Sequence, residues 1–132
     1  MDNAGVINRP DNILAGIPES LPEELEQILA ENEHVSIRRI LSRGHTAPAQ
    51  GWYEQQDNEW VLVLKGEGIL EFTDNSERHM REGDYCFIPA LKKHRVKWTP
   101  QHEVTVWLAI HFPVQEHRQE QGGITGSDER SE

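Results

Sequence analysis

From His34 to Phe112 apolar and polar residues alternate in short runs, and turn residues cut the runs apart. Runs at 34–42, 51–55, 59–65, 67–73, 77–80, 84–88, 93–98 and 103–112 have the composition and period of strands. The punctuation between them includes Arg43-Gly44, Lys65-Gly66-Glu67-Gly68, Thr73-Asp74-Asn75-Ser76 and Glu82-Gly83. Many short strands with frequent turns predict an all-β sandwich or barrel. Upstream, Leu21, Leu25, Ile28 and Leu29 recur at helical spacing behind Ser20-Leu21-Pro22-Glu23, which reads as a capping box. That pattern predicts one short amphipathic helix over 21–31. The apolar run Ile13-Leu14-Ala15-Gly16-Ile17 reads as a strap on the domain, and the polar stretch from Val114 to Glu132 as a tail lacking the apolar content to fold. The expected organisation is a strap and helix over 1–33, a barrel over 34–113 and a disordered acidic tail over 114–132.

Alternation also assigns faces, because side chains on a strand point to opposite sides in turn. If His94 points inward, so do Val96 and Trp98, while Arg95 and Lys97 point out. If Glu59 points inward, so do Val61 and Val63, leaving Trp60, Leu62 and Leu64 as a second apolar face. Both faces of that strand then need cover, from the N-terminal segment or from a second copy of the chain, and a homodimer is expected. The last strand divides into a mixed face, Thr105, Trp107, Ala109 and His111, and an apolar one, Val104, Val106, Leu108, Ile110 and Phe112. The mixed face suits a pocket wall or the solvent side equally.

The 132 residues suit a single domain, and the formal charge of −10 gives no broad attraction for phosphate backbones or anionic membranes. The basic cluster Lys92, Lys93, Arg95 and Lys97 reads as a solvated strand face beside a loop, so no nucleic-acid partner is expected. No apolar stretch is long enough to span a bilayer, and no secretory pattern opens the chain. A lone cysteine, Cys86, fits a reducing compartment and reads as a small buried hydrophobe; the expected location is the cytoplasm.

Two segments carry a more specific signal. Glu59 is followed after six residues by Gly66, in Glu59-Trp60-Val61-Leu62-Val63-Leu64-Lys65-Gly66. Gly83-Asp84-Tyr85-Cys86-Phe87-Ile88-Pro89 is followed by His94. In this order and spacing they resemble the two motifs of the cupin superfamily, in a small single-domain form. The resemblance implies a cupin (RmlC-like) jelly-roll β-barrel. It also implies a metal site, from which this sequence departs. The two histidines that open the first motif fall on Trp52 and Glu54 with the longer spacing, or on Tyr53 and Gln55 with the shorter; neither alignment gives a histidine. Leu91 stands at the usual glycine and Trp98 at the usual asparagine of the second motif. Glu59 and His94 remain.

Glu54 is the candidate third ligand beside Glu59 and His94. Two carboxylates and one histidine would favour harder ions such as manganese or ferrous iron over a sulfur-type zinc site, and the expected cofactor is a divalent metal, manganese, iron, nickel or zinc. Tyr53, Gln55, Trp98 and His111 are candidate ligand-binding residues, with an aromatic character that suits a small organic molecule. His45 reads as an exposed loop residue, and His34, His79 and His102 as surface. Three functions stay open: a metal-dependent enzyme acting on a small organic compound, a metal-free binding or sensing module, and a cofactor-free acid–base enzyme in which Tyr53 and His94 move protons, as the epimerases of the resembled family suggest.

Overall fold

A computed structural model describes residues 11–115; the expected tail and the first ten residues of the strap lie outside them, apart from Val114 and Gln115. The described chain folds into eight strands: β1 (Leu25–Glu31), β2 (Ser36–Ser42), β3 (Asn58–Lys65), β4 (Gly68–Phe72), β5 (Glu77–Met80), β6 (Tyr85–Ile88), β7 (His94–Trp98) and β8 (Thr105–Phe112). A five-stranded sheet runs β1-β2-β8-β3-β6 and a three-stranded sheet runs β5-β4-β7. All of the pairings are antiparallel. This is the all-β architecture that the strand rhythm predicts, in the jelly-roll form that the motif resemblance implies.

The core lies between the sheets. Val61 and Val63 of β3, Leu70 and Phe72 of β4, and Ile88 and Trp107 form its buried cluster. Cys86 is buried there too, and burial holds its thiol above the ordinary value, as expected of a packing residue. A second cluster, Leu41, Val104 and Val106, covers the outer face of the larger sheet. Ile17, Leu21, Leu25 and Leu64 pack against it, so the N-terminal segment supplies part of the outer cover.

The helix expected over 21–31 is not formed: Leu25–Glu31 is an edge strand paired to β2, from Leu25 opposite Leu41 to Glu31 opposite Ser36. The four-residue spacing of Leu21 and Leu25 has another cause. Both reach the second cluster, one from the irregular segment before β1 and the other from the first residue of the strand. Ile28 and Leu29, which would have completed the helical stripe, are exposed beside an irregularity in the β1–β2 register. Pairing along the edge of a formed sheet outweighs a modest local helical preference. The run at 51–55 is likewise no full strand. It touches the smaller sheet through one bridge, in which the Tyr53 and His94 amides donate to each other's carbonyls at 2.8 and 3.1 Å.

Two glycines have backbone reasons. Gly66 sits at φ +84°, and a Cβ there would lie 2.9 Å from Thr105 Cα. At Gly68 a Cβ would lie 2.5 Å from the Trp107 ring, so the missing side chain makes room for the indole.

Candidate functional site

Glu59 is the second residue of β3, directly opposite His111 of β8. Opposed residues in an antiparallel pair send their side chains to the same face. Here that face is the interior: Glu59 is 8 % exposed and His111 8 %. His94 opens β7 in the other sheet and is 5 % exposed. The three meet across the gap between the sheets. Glu59 Oε1 lies 3.3 Å from His94 Nε2, and Glu59 Oε2 lies 3.7 Å from His111 Nε2. One carboxylate is therefore shared by two imidazoles.

The other nitrogen of His94 is fixed as well. Its Nδ1 lies 3.0 Å from the Lys92 carbonyl, which can only accept, so Nδ1 carries a proton and Nε2 is left to face Glu59. Burial pushes the His94 pKa down, but the Glu59 carboxylate and the Lys92 carbonyl outweigh it and hold the imidazole above its ordinary value. The Tyr53 ring packs on His94 with centroids 5.5 Å apart. Burial, then the charges of Glu24, Glu26 and Glu59, raise its phenol to about 12, so it keeps its proton.

These groups border a cavity of about 60 Å³ that opens to solvent. Val61, Leu70, Ile88 and Trp107 give it an apolar floor. Its remaining polar wall comes from residues that strand and helix patterns did not single out: Glu24, Glu26 and Arg38. Glu24 accepts a hydrogen bond from the fully buried Ser42 hydroxyl at 3.1 Å, and burial is the main reason its carboxyl is raised to about 7. Glu26 is ion-paired with Arg38. The signal for this wall was present in the sequence only as the short alternation Glu24-Leu25-Glu26, which the helical reading of 21–31 concealed.

Of the residues singled out from sequence, Glu59, His94, Tyr53, Gln55 and His111 all border the cavity. Glu54 does not. Tyr53 and Gln55 turn in, and Glu54 between them is exposed, so the shorter motif spacing is the one the backbone follows. Trp98 does not either. It is 39 % exposed and packs edge-on against His79, with ring centroids 6.1 Å apart. The reason is a bulge: Leu70 pairs with Val96 but Ile69 pairs with Trp98, leaving Lys97 as an extra residue. One inserted residue reverses the faces beyond it. Trp52 also lies off the cavity, its ring 4.1 Å from the Arg95 guanidinium.

The metal implied by the motif resemblance is not matched by the donors. Tyr53 and Gln55 stand where that site has histidines, and Glu54 faces away. Among the described residues no group of three or more His, Cys, Asp or Glu side chains is arranged to hold an ion. Chemically, the arrangement offers a proton-sharing carboxylate between two imidazoles, with a protonated phenol beside it.

Comparison with known proteins bears on the same residues. The family model described as a cupin domain matches residues 41–111. No curated protein matches the chain. Among solved structures, one from Ralstonia eutropha JMP134, described as a "putative mannose-6-phosphate isomerase", is 38 % identical, covers 80 % of this chain and 99 % of its own, and superposes with a TM-score of 0.75. A cupin superfamily protein from Desulfitobacterium hafniense DCB-2 is 21 % identical over 74 % of this chain and 84 % of its own, with a TM-score of 0.62. A cupin with a double-stranded β-helix fold from Methanocaldococcus jannaschii is 19 % identical over 74 % and 87 %, with a TM-score of 0.61. The last two share the fold.

Proposed function

Since the chain belongs to the cupin family, we propose that it is a small-molecule-binding cupin whose cavity holds its ligand through Glu59, His94, His111 and Tyr53 without a bound transition metal. One observation carries this reading. Both oxygens of the Glu59 carboxylate face imidazole nitrogens, at 3.3 and 3.7 Å, so the two histidines offset the cost of burying that charge. The test is metal content on protein purified without an affinity tag, with thermal unfolding in the presence of manganese, ferrous iron, nickel and zinc. Substoichiometric metal and an unmoved melting temperature are expected. Stoichiometric metal would overturn the reading in favour of a metal-dependent enzyme.

A second reading, a cofactor-free acid–base enzyme, is supported by the proton-holding Tyr53 packed on the His94–Glu59 pair. In it the imidazole–carboxylate pair takes a proton from a carbon next to a carbonyl, and the Tyr53 phenol returns one. The resemblance to the Ralstonia protein makes aldoses and ketoses the first compounds to try. Incubation in heavy water should then place deuterium at that carbon, and His94→Ala should stop it.

We also propose a homodimer. Trp60 and Leu62 of β3 are half-buried on the outer face, and Tyr85 and Phe87 opposite them on β6 are exposed. A contiguous aromatic stripe of this kind is characteristic of an interface. Among the described residues no helix is long and apolar enough to cross a membrane. The free, buried Cys86 supports a reducing compartment such as the cytoplasm.

A further inference from the structure

Resting on the reading of the cavity as a ligand site, we infer that its ligand is a small uncharged molecule bearing hydroxyl groups, and not a phosphate ester. The charges come first. Three carboxyl groups, Glu24, Glu26 and Glu59, border the cavity, against one guanidinium, Arg38. That guanidinium is already engaged. It is ion-paired with Glu26, and its Nε donates to Ser36 Oγ at 2.7 Å. The neighbouring Arg39 is turned to the opposite face, where it donates to the carbonyls of Ile13 and Ala15 at 2.9 and 2.6 Å. The two imidazoles of the wall are engaged as well, since His94 Nε2 and His111 Nε2 face the two oxygens of Glu59 at 3.3 and 3.7 Å. No basic group bordering the cavity is thus without a carboxylate partner, and a phosphate dianion would have to displace Glu26 from Arg38 or Glu59 from the histidines.

The hydrogen-bonding groups narrow the class further. Trp107 borders the cavity and is almost wholly buried, yet its indole Nε1–H has no partner among the described residues. An unpaired buried donor is costly, and a bound molecule that brought an acceptor within its reach, with a small shift of the cavity floor, would relieve it. The carboxylates of the wall require donors in turn. A hydroxyl group is both donor and acceptor. An ammonium group would serve the carboxylates and leave the indole unpaired; a phosphate or carboxylate would do the reverse.

The test uses the full chain labelled with nitrogen-15 and three probes: D-mannose, D-mannose 6-phosphate and propylamine. The Trp107 indole signal is assigned by its loss in Trp107→Phe. Mannose should shift that signal saturably, and its phosphate ester should bind at least about tenfold more weakly. Trp107→Phe should weaken mannose binding about tenfold, read from backbone amide signals, and Glu24→Gln should weaken it several-fold with the fold intact. If the phosphate ester or the amine binds as tightly as mannose or more so, the ligand class is overturned and the binding cavity stands. If none of the three shifts the indole or the cavity amides at millimolar concentration, both are overturned.

Discussion

Glu59 and His111 are cross-strand partners whose side chains close a 3.7 Å gap inside the barrel, and the same carboxylate reaches His94 on the other sheet at 3.3 Å. The two sheets are thus coupled by one ionisable group. Glu59→Gln keeps the shape and removes the charge. Burial, which lowers the His94 pKa, then acts without its main opponent, so the His94 midpoint should fall below the ordinary imidazole value. A nuclear magnetic resonance titration of the ring protons reads it; an unmoved midpoint would reject the coupling.

Breaking the pair from the other side should cost stability. His94→Ala leaves Glu59 buried with only the longer contact to His111. The expected loss is about 2–4 kcal/mol in urea unfolding, with the β spectrum retained. A loss below about 0.5 kcal/mol would show that water already solvates Glu59.

Stability should fall as pH rises from mildly acid to mildly alkaline, for two reasons of the same sign. Glu24 holds its proton up to about 7 in the folded chain but only to about 4.5 when unfolded. Between those values the folded state binds more protons, so its advantage declines with rising pH. His94, raised in the folded state, contributes fully below the unfolded imidazole value and loses that contribution as pH passes its folded one. Glu24→Gln should remove the first component. At pH 8 the variant should be more stable than the parent by on the order of 1–2 kcal/mol, and at pH 4 the two should be alike. A constant difference across that range would contradict the assignment.

Leu91 occupies the position where the second cupin motif has glycine, and its backbone sits at φ +68°. Its side chain is 54 % exposed, so little packing compensates the left-handed conformation. Leu91→Gly should raise stability by about 0.5–1 kcal/mol, the relief being partly offset by glycine's larger unfolded-state entropy. A fall in the thermal midpoint would mean that the leucine packs on something.

Light scattering at micromolar concentration should give twice the mass of one chain. Phe87→Glu, on the exposed stripe, should return the mass of a single chain without unfolding it. A monomeric parent would remove the dimer.

Much of the barrel was legible because its signals are local. Turn residues marked the strand ends, and the alternation of Glu59, Val61 and Val63 gave the inner face of β3. What could not be read there were effects set by a neighbour. The inward set His94, Val96, Trp98 failed at its last member because the bulge at Lys97 depends on how β4 pairs. The period of Leu21 and Leu25 looked helical because two separate segments meet one cluster. The choice between Glu54 and its neighbours turned on a single-residue phase, which the Tyr53–His94 bridge fixes. His111 was undecided between wall and surface until the second sheet lay over it.

The edge strand β1 has a wider bearing. Glu24 immediately precedes it and Glu26 is its second residue, and both lie upstream of the 41–111 stretch that matches the cupin domain. One side of the cavity is therefore contributed by a part of the chain that the shared motifs do not specify. Two proteins with the same motif residues can carry walls of opposite charge, so kinship over the barrel does not transmit a ligand from one to the other. Exchanging residues 20–31 between relatives, with the barrel untouched, is a direct route to altering what such a chamber accepts.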